Sequence, residues 1–220
     1  MELLETVWDV FLRTYPGFLE ATLITLKITA VALVLGTILG LLFALMKISR
    51  SKLLQTIANL YITVIRGTPL IVQIMFLYFG ITSLIVLSGF WAGAIALGIH
   101  NGAYIAEIFR GAIQGIDKGQ REASSSLGMT RSQSMRRIVF PQALKRSIPP
   151  LGNQFIITLK DSSLVYIISV PELFSMANIE AAQSFQSLET YLVVGVYYLV
   201  LVMIFTYLLK LYENKLNVDK

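Results

Sequence analysis

Long runs without charge, separated by short polar stretches, set the plan of this chain. Ile28 to Met46 and Thr190 to Leu209 carry no Asp, Glu, Lys or Arg. Each is close to the ~20 apolar residues that a helix needs to cross a bilayer. Between them, Gly67 to Ala106 is free of acids and bases over about 40 residues, which as one helix would measure roughly 60 Å, twice the hydrocarbon thickness. That stretch must fold back, and Ser83 to Gly89 is where the pattern allows it. A second span then runs from about Leu53 to Gly80 and a third from about Trp91 to Arg110. A fourth runs from Pro141 through Leu159, its apolar pattern interrupted by Pro149-Pro150 and Lys160-Asp161. The pattern predicts an all-α integral membrane protein with five transmembrane helices, near 17–46, 53–80, 91–114, 141–168 and 188–213. A short acidic amphipathic segment precedes the first. No repeat, low-complexity segment or soluble linker divides residues 1–220, so one domain is expected.

Small residues recur at every fourth position of the first span: Ala32, Gly36, Gly40 and Ala44. That spacing puts them on one face, where a second helix can approach closely. The general abundance of Gly and Ala in membrane helices gives the same pattern without such a contact.

Composition narrows the class. Hydrophobic residues make up 55% of the 220 and charged residues only 14%, with a mean hydropathy of +0.70. Soluble domains carry nearer a quarter charged residues, so the composition argues against a water-soluble enzyme. The absence of cysteine removes disulfides, thiolate metal sites and a cysteine nucleophile, and a single histidine removes a His-rich metal cluster. No metal site is expected. The opening MELLETVWDVFLR is acidic and lacks a basic n-region, so it is not expected to be a cleaved signal peptide.

The net charge of +5 is sorted by loop. Most of the 18 Lys and Arg lie in three segments: Lys47, Arg50 and Lys52; the stretch from Arg110 to Arg146; and Lys210, Lys215 and Lys220. The other side holds Glu2, Glu5, Asp9, an uncharged loop near Ser83, and Glu172, Glu180 and Glu189. Basic loops stay cytoplasmic, which predicts an external N-terminus and a cytoplasmic C-terminus, as an odd number of spans requires. Basic residues so placed point to the membrane surface and not to nucleic acid.

The polar stretch from about 115 to 141 is far longer than a turn between neighbouring spans needs. It predicts two short helices broken at Gly128, the second capped by Thr130, with Pro141 in the first turn of the next span. Such a pair beneath the bilayer serves either as a docking surface for another protein or as a membrane-surface anchor, and its basic residues suit both.

Here the chain resembles a known family. Bacterial ABC importer permeases carry an EAA loop: Glu-Ala-Ala, three residues, Gly, nine residues, Ile-x-Leu-Pro. This sequence has Glu122-Ala123-Ser124, three residues, Gly128, nine residues, then Ile138-Val139-Phe140-Pro141. The spacing matches throughout, with Ser124 for the second Ala and Phe140 for Leu as mild departures. Arg66-Gly67-Thr68-Pro69-Leu70, Ala103 to Gly111 and Leu159-Lys160-Asp161-Ser162-Ser163-Leu164 are similar to signatures of the polar amino acid subfamily, which serves histidine, glutamine, arginine and related solutes. The resemblance covers nearly the whole chain and implies a type I ABC importer permease in the bacterial plasma membrane.

What the resemblance implies is specific. Two copies of a cytoplasmic ATPase subunit bind below, and a second permease half, expected to be another copy of this chain, stands beside it. An external solute-binding protein delivers the amino acid. Arg121, Glu122, Ala123, Ser124, Gly128 and Arg131 fall in the ATPase interface. ATP draws the coupling helices together and switches the permease from inward- to outward-facing. The chain has no Gly-x-x-x-x-Gly-Lys-Ser/Thr phosphate loop. ATP and Mg are therefore expected on the partner ATPase, and this chain is expected to be a transport subunit without a cofactor or an enzymatic activity of its own.

Polar groups within the spans suggest a pocket, because ionisable side chains at membrane depth are expensive and tend to line cavities or pair. Arg66 lies about 20 Å along its helix from Leu53. The Gly67-Thr68-Pro69 that follows predicts a broken helix, whose freed backbone groups can hold a solute. Asn101, Tyr104 and Glu107 fall on the third span, and Asp161 and Ser163 at the interruption of the fourth. Together with Arg66 and Thr68 they form the candidate substrate site. Two acids, Glu107 and Asp161, would favour a cationic or zwitterionic amino acid. Plainer roles fit the same residues: an Arg66–Asp161 structural ion pair, a Glu107–Arg110 surface pair, a packing role for His100, and interhelical hydrogen bonds from Tyr104 and Gln73. An ion-coupled secondary transporter would use the two acids differently, but five spans and a long basic helix pair suit it poorly. No catalytic constellation supports a membrane enzyme. A plain pore or scaffold subunit is separated by ATP-dependent uptake.

Overall fold

The first helix, α1 (Glu2–Lys47), runs unbroken through both the acidic segment and the first span in the computed structural model, which describes residues 2–216. Lys220 of the basic tail lies outside the described residues. The separate amphipathic segment expected from the sequence is corrected to the first third of one helix about 69 Å long. Pro16 interrupts it little. The missing N–H frees only the carbonyl of exposed Leu12, while Val10, Phe18 and Ala21 are buried against Leu173, Ala177, Val193 and Val194. Arg13 adds an ion pair to Glu180 at 2.6 Å.

After Ser51, which caps it, α2 (Lys52–Gly67) climbs beside α1. The chain then turns through 106° into α3 (Leu70–Met75), which continues as a π turn over Phe76–Gly80. The break has a local cause. Thr68 precedes a proline and is held extended at φ −118°, ψ 144°, and Pro69 opens α3 without needing its absent N–H. A non-helical stretch over 81–88 leads into α4 (Gly89–Gln114), and α5 (Lys118–Ser126) and α6 (Arg131–Ser134) follow.

α6 is not a free-standing second helix. It passes through a π turn over Met135–Val139 into α7 (Phe140–Asp161), with the Phe140 N–H reaching back to Met135 O. Pro149 and Pro150, expected to interrupt the fourth span, lie within α7. The carbonyls they leave free belong to the exposed Lys145 and Arg146, so the helix continues. A 3₁₀ segment over Ser162–Ile168 follows, then a left-handed Ser169 at φ 57°. The chain ends in α8 (Leu173–Ser184) and α9 (Ser187–Leu216). Buried Glu172 caps α8 by accepting from Ser175 N at 2.6 Å and Phe174 N at 2.9 Å, and it also accepts from the Tyr198 hydroxyl at 3.0 Å.

By length and composition α1 and α9 are each able to cross a membrane. Two bent pairs qualify as broken spans: α2 with Leu70–Gly80, and Arg131–Ile168 with α8 across a 52° bend. α4 runs through the middle, buried along most of its length.

α4 lies directly on α1, and both helices supply small residues for it. Gly36 faces Gly98 O, Asn101 and Gly102, and Gly98 faces Leu35 and Ala32 O. On α4 the small positions are Ala94, Gly98, Gly102 and Ala106, spaced by four like those of α1. Lipid offers no hydrophobic drive between helices, so close backbone approach and its dispersion contacts hold such a pair. A β-carbon on Gly40 would lie 2.5 Å from Ile105 Cγ2 and 3.1 Å from Ala106 N, whereas one on Gly195 meets nothing within 4 Å. Gly40→Ala is therefore expected to cost about 1–3 kcal/mol through overpacking. Thermal unfolding in detergent should show a lowered midpoint for Gly40→Ala and an unchanged one for Gly195→Ala.

Candidate functional site

The broken helix at Thr68-Pro69 gathers most of the intramembrane polar groups. Gln73, a turn into α3, folds back and donates to Ile65 O and to Thr68 Oγ1, both at 2.9 Å. The carbonyl that the break releases is thereby partnered. Gln73 Oε1 lies 3.2 Å from His100 Nδ1 on α4. The His100 ring lies 5.2 Å from that of Tyr104, and the Arg66 guanidinium sits 5.0 Å above the Tyr104 ring. Arg66, Thr68, Gln73, His100 and Tyr104 thus form one polar patch across α2, α3 and α4. Inside the bend lies a cavity of about 360 Å³, walled by Val64, Ile65, Val72, Phe76 and Ile99, with Thr68 and Gln73 as its polar groups.

Arg66 is exposed and, among the described residues, belongs to no salt bridge. The Arg66–Asp161 pair considered from the sequence is therefore not formed. Stacking on Tyr104 holds the guanidinium in place, an interaction worth about 0.5–1 kcal/mol at an exposed site, and leaves its N–H donors open to an anionic group.

Three predicted pocket residues are engaged elsewhere. Asn101 is fully buried. Its Oδ1 accepts from Gln154 at 2.6 Å and Thr158 at 2.8 Å, and its Nδ2 donates to Leu97 O. It ties α4 to α7 and does not line the cavity, a correction caused by its falling on the α7 side of α4. Glu107 is held at the Lys47 end of the bundle, 2.7 Å from Lys47 Nζ and 2.7 Å from Arg110 Nη2. Both its oxygens are taken, so the expected acidic pair with Asp161 loses one member. Ser163 Oγ donates to Lys160 O. Asp161 is half-buried where α7 passes into the 3₁₀ segment, and that segment's Val165 and Ile168 share a core cluster with Leu70 and Ile74 of α3. The two helix interruptions thus lie in elements that touch.

The predicted coupling segment is a helix–Gly–helix hairpin. α5 ends in a Schellman motif: Met129 N donates to Ser124 O at 3.1 Å and Gly128 N to Ser125 O at 3.0 Å, with Gly128 at φ 74°. Only glycine adopts that angle cheaply. Thr130 and Gln133 form a capping box on α6. Glu122 and Ala123 are exposed, with no salt bridge for Glu122 among the described residues. Ser124, placed at the interface by its position in the motif, is instead buried, its hydroxyl 2.6 Å from that of Ser134. It joins α5 to α6, since it lies on the inner face of α5. Arg121 likewise turns inward and donates to Ile113 O at 2.6 Å. The hairpin is fastened to the bundle by Ile113, Ile116, Val139 and Ala143, and by a hydrogen bond from Arg146 to Gly115 O.

Sequence reasoning gave Gln73 and His100 plain roles, yet they organise the break. The usable signal was an amide a few residues past a proline in an apolar run, at the point where freed carbonyls need a donor.

Known proteins share this architecture. The chain is 40% identical to an amino acid ABC transporter with histidines of known crystal structure, with a TM-score of 0.88 over 93% of this chain and 96% of that one. It is 39% identical over 204 residues to the arginine transport system permease protein ArtQ of Bacillus subtilis (strain 168), covering 92% of this chain and 93% of that protein. It is 36% identical over 214 residues to the glutamine transport system permease protein GlnP of Escherichia coli (strain K12), covering 96% and 98%. The fold is that of a type I ABC importer permease. Residues 36–218 match the family described as binding-protein-dependent transport system inner membrane component, and the chain belongs to that family.

Proposed function

We propose that this permease carries a polar amino acid inward, using ATP and Mg bound by two copies of a separate cytoplasmic ATPase and receiving its solute from an external binding protein. A second copy of the chain completes the pathway. This reading takes the chain as five spans with the N-terminus outside and the C-terminus cytoplasmic, which puts the α5–α6 hairpin on the ATPase side; the basic loops support it. The observation that carries the reading is the rigid hairpin itself, with Glu122 and Ala123 on its open face and its inner face locked to α4 and α7. A lever must be stiff to transmit force, and this one has its capping groups satisfied and an apolar root. Nucleotide-driven closure of the ATPase pair moves two such levers as rigid bodies.

For the solute, Arg66 is the donor for a carboxylate and Asp161 the partner of an ammonium or guanidinium group, with Thr68, Gln73 and Tyr104 fixing the orientation. The names of the similar permeases, glutamine and arginine among them, agree with a solute that is neutral or basic in its side chain. Glu107, engaged by Lys47 and Arg110, is assigned to holding α1 and α4 together at the cytoplasmic end.

Uptake by the reconstituted importer should be faster for arginine, histidine or glutamine than for glutamate. Glutamate as the best solute would contradict the assignment of Asp161. Glu122→Lys should weaken ATPase docking at least about tenfold, as reversal of an interfacial charge does, while amino acid binding to the external protein is unchanged. Copurification and coupled ATP hydrolysis at wild-type levels in that variant would remove Glu122 from the interface.

A further inference from the structure

Three arginines close on one cavity at the Lys47 end of the bundle. Arg50 from the α1–α2 turn, Arg121 from α5 and Arg131 from α6 line a space of about 350 Å³ floored by Ser134, Met135 and Val139. No acid lines it, and none of the three arginines has a salt bridge among the described residues. Arg121 Nε is buried without a hydrogen-bond partner. A buried donor of a charged group with nothing to accept from it is costly, and it marks where an acceptor belongs. Like charges brought together from three separate elements add to that cost, and an anion would relieve both.

A second feature identifies the anion's carrier. The cationic cavity adjoins a groove that shares Arg50, Arg131 and Met135 with it and adds the apolar Leu45 and Ile48. From there an exposed stripe of Val34, Ile38, Leu42 and Leu45 runs up one face of α1. The uncharged run of α1 from Ile28 to Met46 spans about 28 Å, the hydrocarbon thickness, so Arg50 lies at headgroup depth. A carboxylate from a docked protein would need only the arginines. An apolar track leading into them at that depth fits a lipid chain below its own headgroup.

We infer that the Arg50–Arg121–Arg131 cavity binds the headgroup of an anionic phospholipid, whose acyl chain lies along Leu45 and Leu42. The lipid would join the α1–α2 turn to the root of the coupling hairpin, so that the charge of the inner leaflet bears on the lever. The site shares no lining residue with the solute pocket, and on α5 it takes in Ser125 as well as Arg121.

The test uses the assembled importer in nanodiscs of phosphatidylglycerol and phosphatidylcholine in equal parts, with retained lipid read by native mass spectrometry. The wild type should retain phosphatidylglycerol in preference to phosphatidylcholine. Arg50→Gln should lower that retention about fivefold, the contribution of one basic residue near an anionic surface. Lys52→Gln, which removes an exposed charge two residues away and outside the cavity, should leave it unchanged. The same retention in Arg50→Gln as in wild type, or an equal loss in Lys52→Gln, would overturn the inference. Displacement by inorganic phosphate would mark a free-anion site, and retention only when the ATPase subunits are absent would mark a protein contact. Either would also overturn it.

Discussion

The backbone-to-backbone contact between α1 and α4 is the constraint on which the rest of the molecule depends. Helices in lipid gain nothing by hiding apolar surface from one another, so a lasting pair needs close surfaces. Ala32, Gly36 and Gly40 on one side and Gly98 and Gly102 on the other provide them. α4 is thereby fixed as the axis of the fold. From its other faces Asn101 reaches Gln154 and Thr158 of α7, and Ile99 accepts a hydrogen bond from Tyr61 of α2 at 2.6 Å. α2, α3 and α7 take their positions from α4, whereas α8 and α9 pack on α1 through Leu173, Ala177, Val193 and Val194.

Two kinds of local structure are attached to this axis, and their physics differs. The break at Thr68-Pro69 is partly satisfied. Gln73 partners the freed carbonyls, but Arg66 keeps its donors free above Tyr104. On the proposed reading, such open polar groups serve a site that binds and releases a solute. The α5–α6 hairpin is the reverse case, with both helix ends capped and Ser124 and Ser134 paired inward. On the proposed lever reading, that stiffness carries a push on Glu122 and Ala123 to α4 and α7 as a displacement of the bundle.

The sequence made some of this plain and hid other parts. Uncharged runs marked α1 and α9, the two unbroken helices long and apolar enough to cross a membrane, and the spacing from Glu122 through Gly128 to Pro141 identified the hairpin, because capping and glycine geometry are local properties. The small-residue face of α1 was legible as a stripe, but its partner on α4 was not singled out, since Ala94, Gly98, Gly102 and Ala106 lie in a helix that also carries His100, Asn101 and Tyr104. Which way a polar side chain faces is a tertiary property. That is why Asn101 was assigned to the pocket when it bonds to α7, and why Glu107 was counted as a pocket acid when Lys47, sixty residues earlier, neutralises it. Pro149 and Pro150 were read as breaks because a pattern cannot show that the carbonyls they release are exposed.

The central claim is that the hairpin is a lever moved by nucleotide. The chain has no native cysteine, so a spin label at Ser126→Cys, on the exposed end of α5 in both permease halves, reports the separation of the two levers directly. Electron–electron double resonance on the assembled importer should show that distance shorten by several ångströms when a non-hydrolysable ATP analogue binds, as rigid-body closure requires. A distance distribution unchanged by nucleotide would contradict the account.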